Sequence, residues 1–104
     1  MKMLNLLMVI IAKSTLSEFV KSYPDAAEPL NHWYQIARSS NWGTFTHIKE
    51  SFNSVDAVGN DRYVFNIKGN NYRLVTMIHF SKRTIYIRFL GTHEAYDKIN
   101  CSKI

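Results

Sequence analysis

Four side chains within eleven positions near the end of the sequence could together move protons and stabilise negative charge. The stretch IRFLGTHEAYDK contains Arg88, His93, Tyr96 and Lys98. RNA carries its own nucleophile, the 2′-hydroxyl, so cutting it requires a base, cations for the developing phosphorane charge and an acid for the leaving 5′-oxygen. These residue types supply all three functions without a metal ion. For each residue alone, a structural role is commoner: capping for His93 and packing for Tyr96. The clustering of the four side chains is what favours a catalytic role.

A second set of cations lies in the stretch YVFNIKGNNYRLVTMIHF, which carries Lys68, Arg73 and His79 among its apolar residues. The stretch predicts two strands, over 62–68 and 72–80. They are joined by a tight turn at GNN, because a Gly–Asn pair suits the positive φ of a two-residue hairpin turn.

Period-two alternation divides these strands and a third, TIYIRFLG over 84–91, into two faces. One face is apolar, includes Phe89 and is expected to pack on helices. The other, called the mixed face here, contains Asn66, Lys68, Arg73, His79, Tyr86 and Arg88. Its cations could bind phosphates and its tyrosine could stack on bases. Simple solvation of an open antiparallel face explains the same pattern, and spacing alone does not decide between the two.

The N-terminal sequence, MKMLNLLMVIIAKS, places Lys2 before an apolar run over 6–12. The run is too short to span a membrane, and no small-residue cleavage site of a signal peptide follows it. Its Val and Ile content favours a buried β-strand, and no membrane partner is expected. Residues 1–7 are interpreted as an N-terminal extension of one domain that covers 1–104, with Met8 as an alternative start.

Three segments with apolar residues at i, i+3 and i+4 predict amphipathic helices. They begin at Ser14 or Thr15, at Ala26 and at Thr44. Glu18 would complete a capping box in the first, and Asp25 would cap the second. NSVDAVGND is predicted to be a turn-rich connection and THEAYDKI a final helical turn or two. The order β-α-α-(α)-β-β-β predicts an α+β fold, with helices packed on one face of a mostly antiparallel four-stranded sheet.

The composition is that of a globular protein with excess positive charge. Hydrophobic residues make up 46%, and 13 basic against 8 acidic residues give a net charge of +5. The excess favours a polyanionic partner, although solubility alone explains it in many domains. The lone Cys101 cannot form an internal disulfide, which suits a reducing compartment. The histidines have no zinc-binding spacing, and phosphate-loop, dinucleotide and nucleophile-elbow motifs are absent from the sequence, so neither metal nor cofactor is expected.

Three segments of the sequence resemble the HigB family of toxins, mRNA interferases related to the RelE superfamily. They are VIIAKSTLSEFVKSYPDAAEPLNHWYQIARSSNW, VFNIKGNNYRLV and YIRFLGTHEAYDK, within a match that runs over about 8–98. THEAYDK has Ala95 where many relatives carry glutamate. The resemblance implies a RelE-like fold and metal-independent cleavage of messenger RNA in the cytoplasm, generally at the ribosomal A site. It also implies a HigA-type helix-turn-helix antitoxin that neutralises the toxin.

The resemblance also implies roles for individual residues. Lys68 and Arg73 match hairpin cations that bind the phosphate, and Arg88 matches an arginine that stabilises transition-state charge. His93 and Tyr96 are the candidates for proton transfer and base stacking. The predicted catalytic set is Arg73, Arg88, His93 and Tyr96, and the predicted RNA-binding set is Lys68, Asn66 and Lys98. A non-catalytic RNA- or ribosome-binding module and a purely protein-binding domain are the alternatives.

Overall fold

The computed structural model describes residues 7–104, in which four α-helices and five strands form an α+β arrangement. The predicted extension, 1–7, lies outside the described residues apart from Leu7. The elements are β1 (Val9–Ile11), α1 (Ser14–Ser22), α2 (Ala27–Arg38), α3 (Phe45–Ser51), β2 (Val55–Gly59), β3 (Arg62–Ile67), β4 (Tyr72–His79), β5 (Thr84–Thr92) and α4 (His93–Tyr96). The predicted fold class is confirmed. No helix in this part of the chain is long and apolar enough to cross a membrane.

The sheet has the strand order β1-β5-β4-β3-β2, in which β1 is parallel to β5 and all other pairs are antiparallel. The prediction of four strands is wrong, because the supposed connection at 55–59 forms β2. This strand is a short edge strand whose buried Val55 pairs with Phe65. The strand ends in a tight turn with three consecutive residues of positive φ, Gly59, Asn60 and Asp61. Because these turn-forming residues dominate the local sequence, its pattern predicts a turn and not a strand.

Strand β1 is an exposed edge and not the buried strand that its composition predicts. Ile10 packs against the core, whereas Val9 and Ile11 are 54% and 45% exposed. The strand pairs with β5 on one side, and the alternation of its side chains leaves one face toward solvent.

Helices α1, α2 and α3 pack on one face of the sheet and form the core with it. The fully buried side chains include Trp33 and Leu30 from α2, Ile48 from α3 and Phe65 from β3. The Trp33 and Phe65 rings meet edge to face with centroids 5.4 Å apart. This layer fixes the position of the β3–β4 hairpin.

The predicted helix caps differ from those observed. The backbone of Lys13 is already helical, so the hydroxyls expected to cap α1 lie inside the helix. Glu18 binds Lys21 at 2.9 Å and completes no capping box. Asp25 does not cap α2, because a 3-10 turn brings Ala26 to the N-cap position. The Asp25 carboxylate is therefore available for contacts with the sheet.

A β-bulge at Arg88 reverses the alternation of side chains along β5. Val75 pairs with Phe89 and Thr76 pairs with Ile87, which leaves Arg88 as the extra residue. Because one inserted residue shifts a period of two, Phe89 lies on the mixed face, and its predicted place on the helix-covered face is wrong. A Cβ on Gly91 would come within 2.5 Å of Phe89 Cζ, so any larger residue there would require the Phe89 ring to move.

The mixed face is partly covered by the last residues of the chain, which run over it after α4. Val64 and Val75 on this face are 3% and 0% exposed. Arg62 donates from Nε to the carbonyl oxygen of Ile104 at 3.0 Å, which ties the segment 97–104 to β3. The apolar residues on this face explain the cover, since burying them is favourable.

Candidate active site

Arg73 lies on the mixed face of β4, directly opposite Asn66 of β3. Its side chain is buried, with 9% exposure. Nη1 donates to the carbonyl oxygens of Asn70 at 3.0 Å and Tyr72 at 3.4 Å, and Nη2 donates to Asn70 Oδ1 at 3.2 Å. The guanidinium therefore holds the hairpin turn in place, and its positive charge lies directly behind that turn.

The hairpin turn spans the four residues 68–71 and is not the predicted two-residue turn. Lys68 and Gly69 both have positive φ, at 53° and 61°. The amide of Asn71 donates to the carbonyl of Lys68 at 3.1 Å. Because strand pairing ends at Ile67, Lys68 leaves the mixed face, and its predicted position beside Asn66 there is wrong. Its ammonium instead lies 2.7 Å from Asp25 Oδ2.

Asp25 joins the turn between α1 and α2 to the hairpin. Its Oδ1 accepts a hydrogen bond from the Tyr72 hydroxyl at 2.5 Å, while Oδ2 accepts one from Lys68. The Lys68 and Tyr72 hydrogen bonds hold the pKa of Asp25 below its usual range, and the Asp25 carboxylate raises the pKa of Tyr72 to about 12. Sequence reasoning missed this group, since nothing in the local pattern links Asp25 to residues more than forty positions away.

Replacing Asp25 with asparagine is expected to remove an acid-sensitive part of the folding stability. The pKa of Asp25 is lower in the folded than in the unfolded chain. Its contribution is therefore present above the ordinary carboxyl pKa of about 3.9 and is lost as the pH falls through the folded value. The gap between the unfolding temperatures of wild type and Asp25→Asn should be widest near neutral pH and close below about pH 4.

Thermal unfolding followed from pH 2 to pH 7 measures this gap. Glu50→Gln is the matched control, because Glu50 is exposed on α3. A gap for Asp25→Asn that is independent of pH would contradict the ionic role of Asp25.

His93 begins α4 and lies beside the hairpin turn. Thr92 Oγ1 caps the helix by accepting from the amide of Ala95 at 3.2 Å, and the His93 amide donates to the carbonyl of Asn71 at 3.1 Å. The Nδ1 atom of His93 is 3.3 Å from Oδ2 of Asp97. A carboxylate at this position favours the tautomer with its proton on Nδ1, which leaves Nε2 free to accept a proton.

Tyr96 lies one turn after His93 on the same side of α4. Its ring centroid is 5.7 Å from Cζ of Arg73, and its hydroxyl is 3.4 Å from Sγ of Cys101. Burial and then the Cys101 contact raise the pKa of Tyr96 to about 12. Tyr96 therefore keeps its proton at neutral pH, where it can donate but cannot act as a base.

An open groove of about 470 Å³ lies between the hairpin turn and the start of α4. It is called the His93 groove here, and it is lined by Tyr23, Asn70, Asn71, Tyr72, Thr92, His93 and Glu94. On one side it meets the Lys68–Asp25–Tyr72 chain, and on the other it meets Asn70, which Arg73 holds. The hairpin turn and the start of α4 thus present one continuous polar surface.

Among the described residues that line this groove, His93 is the only predicted site residue. The side chain of Asn66 donates to Ser54 Oγ. Arg88 is exposed on the bulge, and Lys98 is exposed just after α4. Within residues 7–104, no hydrogen bond or ion pair involves either of these last two side chains. The structure thus places the Tyr96 ring against Arg73 and places His93 beside the hairpin turn, and it leaves Arg88 and Lys98 as exposed cations.

The histidine of the mixed face lies away from the groove. His79, at the opposite end of β4 from the hairpin turn, meets the Tyr86 ring edge to face at 5.5 Å, and its Nε2 is 3.9 Å from Asp61 Oδ2. No group of three or more His, Cys, Asp or Glu residues suited to hold a metal ion occurs in the described range.

Comparison with known proteins identifies relatives that cover most of the chain. A family model for HigB toxin, the RelE-like toxic component of a toxin–antitoxin system, matches residues 26–99. The chain is 28% identical over 94 residues to "mRNA interferase HigB" of Escherichia coli O6:H1, covering 88% of this chain and 91% of that protein. It is 29% identical over 92 residues to "mRNA interferase toxin HigB" of Escherichia coli K12 and to "mRNA interferase HigB" of Shigella flexneri, covering 86% of this chain and 88% of each. The family match contains every predicted site residue.

Proposed function

The chain belongs to the HigB family of RelE-like toxins, and from that premise we propose that it is an endoribonuclease that cleaves messenger RNA on the translating ribosome. The relatives named mRNA interferase support this activity. The structural observation that carries the proposal is that His93 lines an open groove beside the turn that Arg73 holds.

The proposed reaction uses the RNA 2′-hydroxyl as nucleophile. Nε2 of His93 removes its proton, while Asp97 stabilises the Nδ1–H of the imidazolium that forms. The 2′-oxygen bonds to the adjacent phosphorus, and the bond from phosphorus to the 5′-oxygen breaks. Tyr96, which is protonated at neutral pH, donates a proton to the leaving oxygen. The products are a 2′,3′-cyclic phosphate and a 5′-hydroxyl.

Buried and exposed cationic side chains can both stabilise negative charge in this reaction. Arg73 is buried, so it acts as a positioning residue and supplies a fixed charge behind the turn, where screening by water is weak. Arg88 and Lys98 are exposed and can contact flanking phosphates of the RNA. Lys68 and Asn66 line a different groove, beside α2, where they can contact another part of the RNA. Removing one such stabilising contact typically slows turnover by roughly a hundredfold or more.

The partner expected in the cell is an antitoxin of the HigA type with a helix-turn-helix fold. A family defined as the toxic component of a toxin–antitoxin system has an antitoxin partner. The net charge of +5 suits both ribosomal RNA and an acidic antitoxin surface. Ribosome-bound messenger RNA as substrate places the activity in the cytoplasm.

A non-catalytic RNA- or ribosome-binding module is the second candidate. The observation that favours it is the covered state of the candidate centre: Arg73 is buried, and the Tyr96 hydroxyl contacts Cys101. Such a module would protect RNA on ribosomes and leave no cut ends.

Brief induction of the chain without its antitoxin tests the proposal. Growth should stop, and mapping of transcript 5′ ends within minutes should show new ends inside coding regions. Ribosome footprints without new ends would favour the binding module. Intact transcripts together with unchanged translation would contradict both functions.

A further inference from the structure

Residues 100–104 cross the mixed face as a short irregular segment, called the strap here. Helical hydrogen bonding continues past α4 as far as Ile99, whose amide donates to the carbonyl of Tyr96 at 3.2 Å. Beyond Ile99 the chain turns on itself, and the Lys103 amide donates to the carbonyl of Asn100 at 3.0 Å. The strap can therefore move while α4 and the histidine that begins it stay in place.

Two side chains fasten the strap at the end of the sheet away from the hairpin turn. Asn60 Nδ2 donates to the carbonyl oxygen of Ser102 at 2.9 Å. Arg62 donates from Nε to the backbone oxygen of Ile104 at 3.0 Å, and its Nη2 donates to the same oxygen. Asn60 and Arg62, called the latch here, lie at the start of β3, whereas α4 lies beside the hairpin turn at its other end. The strap therefore runs along the length of this strand.

The third contact of the strap lies at the candidate active site. The Tyr96 hydroxyl is 3.4 Å from Sγ of Cys101, and the Tyr96 ring lies against the buried Arg73. The proposed reaction requires this hydroxyl to donate its proton to the leaving 5′-oxygen. Cys101 and the RNA therefore compete for the same hydroxyl, and in the free chain the strap holds it.

Opening the strap is expected to cost little free energy. Within residues 7–104, the latch and the Tyr96 contact are the hydrogen bonds that join the strap to the rest of the chain. Of its residues, only Cys101 and Ile104 are apolar. Short segments with few buried contacts open locally while the remainder stays folded. A ligand that binds only the open state shifts the population toward it.

We propose that the strap is an autoinhibitory cover, which closes the nuclease centre in the free chain and must leave the mixed face before RNA is bound and cut. This inference rests on the proposed nuclease function and deepens it, because it assigns the regulation of that site to the latch. Its consequence is a gain of function. Weakening the latch should strengthen RNA binding, whereas loss of an ordinary RNA-binding contact would weaken it.

The thiol of Cys101, the single cysteine of the chain, reports strap opening without RNA. Its rate of alkylation by iodoacetamide is measured at a temperature where every variant is folded. Asn60→Gly removes one latch side chain and suits the positive φ of 52° at this position, and Arg62→Ala removes the other. Each should raise the alkylation rate roughly tenfold, as expected for the loss of such a hydrogen bond. Arg38→Ala, an exposed arginine of α2, should leave the rate unchanged.

The affinity for a short single-stranded oligoribonucleotide is measured in a His93→Ala background, where cleavage is too slow to interfere. Asn60→Gly leaves the net charge unchanged, so any gain in affinity comes from the open fraction of the strap. It should tighten RNA binding by the same factor by which it raises the alkylation rate, because both quantities follow that fraction.

The outcomes separate the strap from the nuclease function. Equal alkylation rates in the wild type and both latch variants would overturn the inference. Faster alkylation of Asn60→Gly with unchanged RNA affinity would also overturn it, because the strap would then cover no RNA-binding surface. In both cases transcript cleavage by the wild type leaves the nuclease function standing. If the latch variants gain RNA affinity as expected and no chain cuts RNA, the strap stands and the nuclease function fails.

Discussion

His93→Ala is expected to lower the rate of RNA cleavage by about 10²- to 10⁴-fold, the usual contribution of a positioned acid–base group. The imidazole is half exposed in the groove, and its Nδ1 lies 3.3 Å from Asp97, so Nε2 is the atom free to remove a proton. Single-turnover cleavage of messenger RNA by purified chain on programmed ribosomes measures the effect. Growth arrest after induction should disappear in parallel.

Two further variants distinguish acid–base chemistry from loss of structure. His32→Ala is the matched control, because His32 is an exposed histidine on α2. Asp97→Asn keeps the shape of the side chain and removes its charge, so it should lower the rate less than His93→Ala. Full toxicity of His93→Ala would remove His93 from the mechanism.

Arg73→Ala is expected to affect both cleavage and folding. Its guanidinium donates to Asn70 and Tyr72 and lies against the Tyr96 ring. Removing it leaves turn carbonyls without their donor, which typically costs about 1–3 kcal/mol of folding stability. It also removes the charge behind the turn and frees Asn70 to move, so cleavage should fall by roughly a hundredfold.

The two effects of Arg73→Ala can be measured apart. Cleavage is assayed at least ten degrees below the unfolding temperature of the variant, so that the folded fraction does not limit the rate. Arg73→Lys retains the charge but not the forked donor geometry, and it should recover only part of the activity. Arg38→Ala, an exposed arginine at the end of α2, is the control. An Arg73→Ala variant that cuts RNA at the wild-type rate while folded would contradict the assigned role.

The sequence was sufficient to predict the parts of the fold that depend on long local patterns. The apolar residues of α2 recur with the period of a helix, and those of β3 and β4 alternate with the period of a strand. The folded structure keeps both periods. The edge strand β2 was missed because its five residues are short and are followed by turn residues. The bulge at Arg88 was missed because one unpaired residue leaves no trace in the alternation of polar and apolar residues until the partner strand is known.

At the candidate site, the sequence indicated which residue types could act but not which side chains they contact. His93 and Tyr96 share a helix, so their common side follows from spacing. The contact of Lys68 with Asp25 does not follow from sequence spacing. It depends on a left-handed backbone at Lys68 and on the 3-10 turn Pro24–Ala26. The cover over Arg73 likewise depends on how the last residues of the chain fold back across the sheet.

The chemistry of the cut ends tests whether the RNA 2′-hydroxyl is the nucleophile. A messenger RNA with a single 2′-deoxynucleotide at a mapped cleavage position is presented to the chain both free and in the A site of a programmed ribosome. The unmodified RNA should yield 2′,3′-cyclic phosphate and 5′-hydroxyl ends, and the 2′-deoxy RNA should not be cut there. Cleavage of the 2′-deoxy RNA at an unchanged rate, or products with 5′-phosphate ends, would contradict this role of the 2′-hydroxyl.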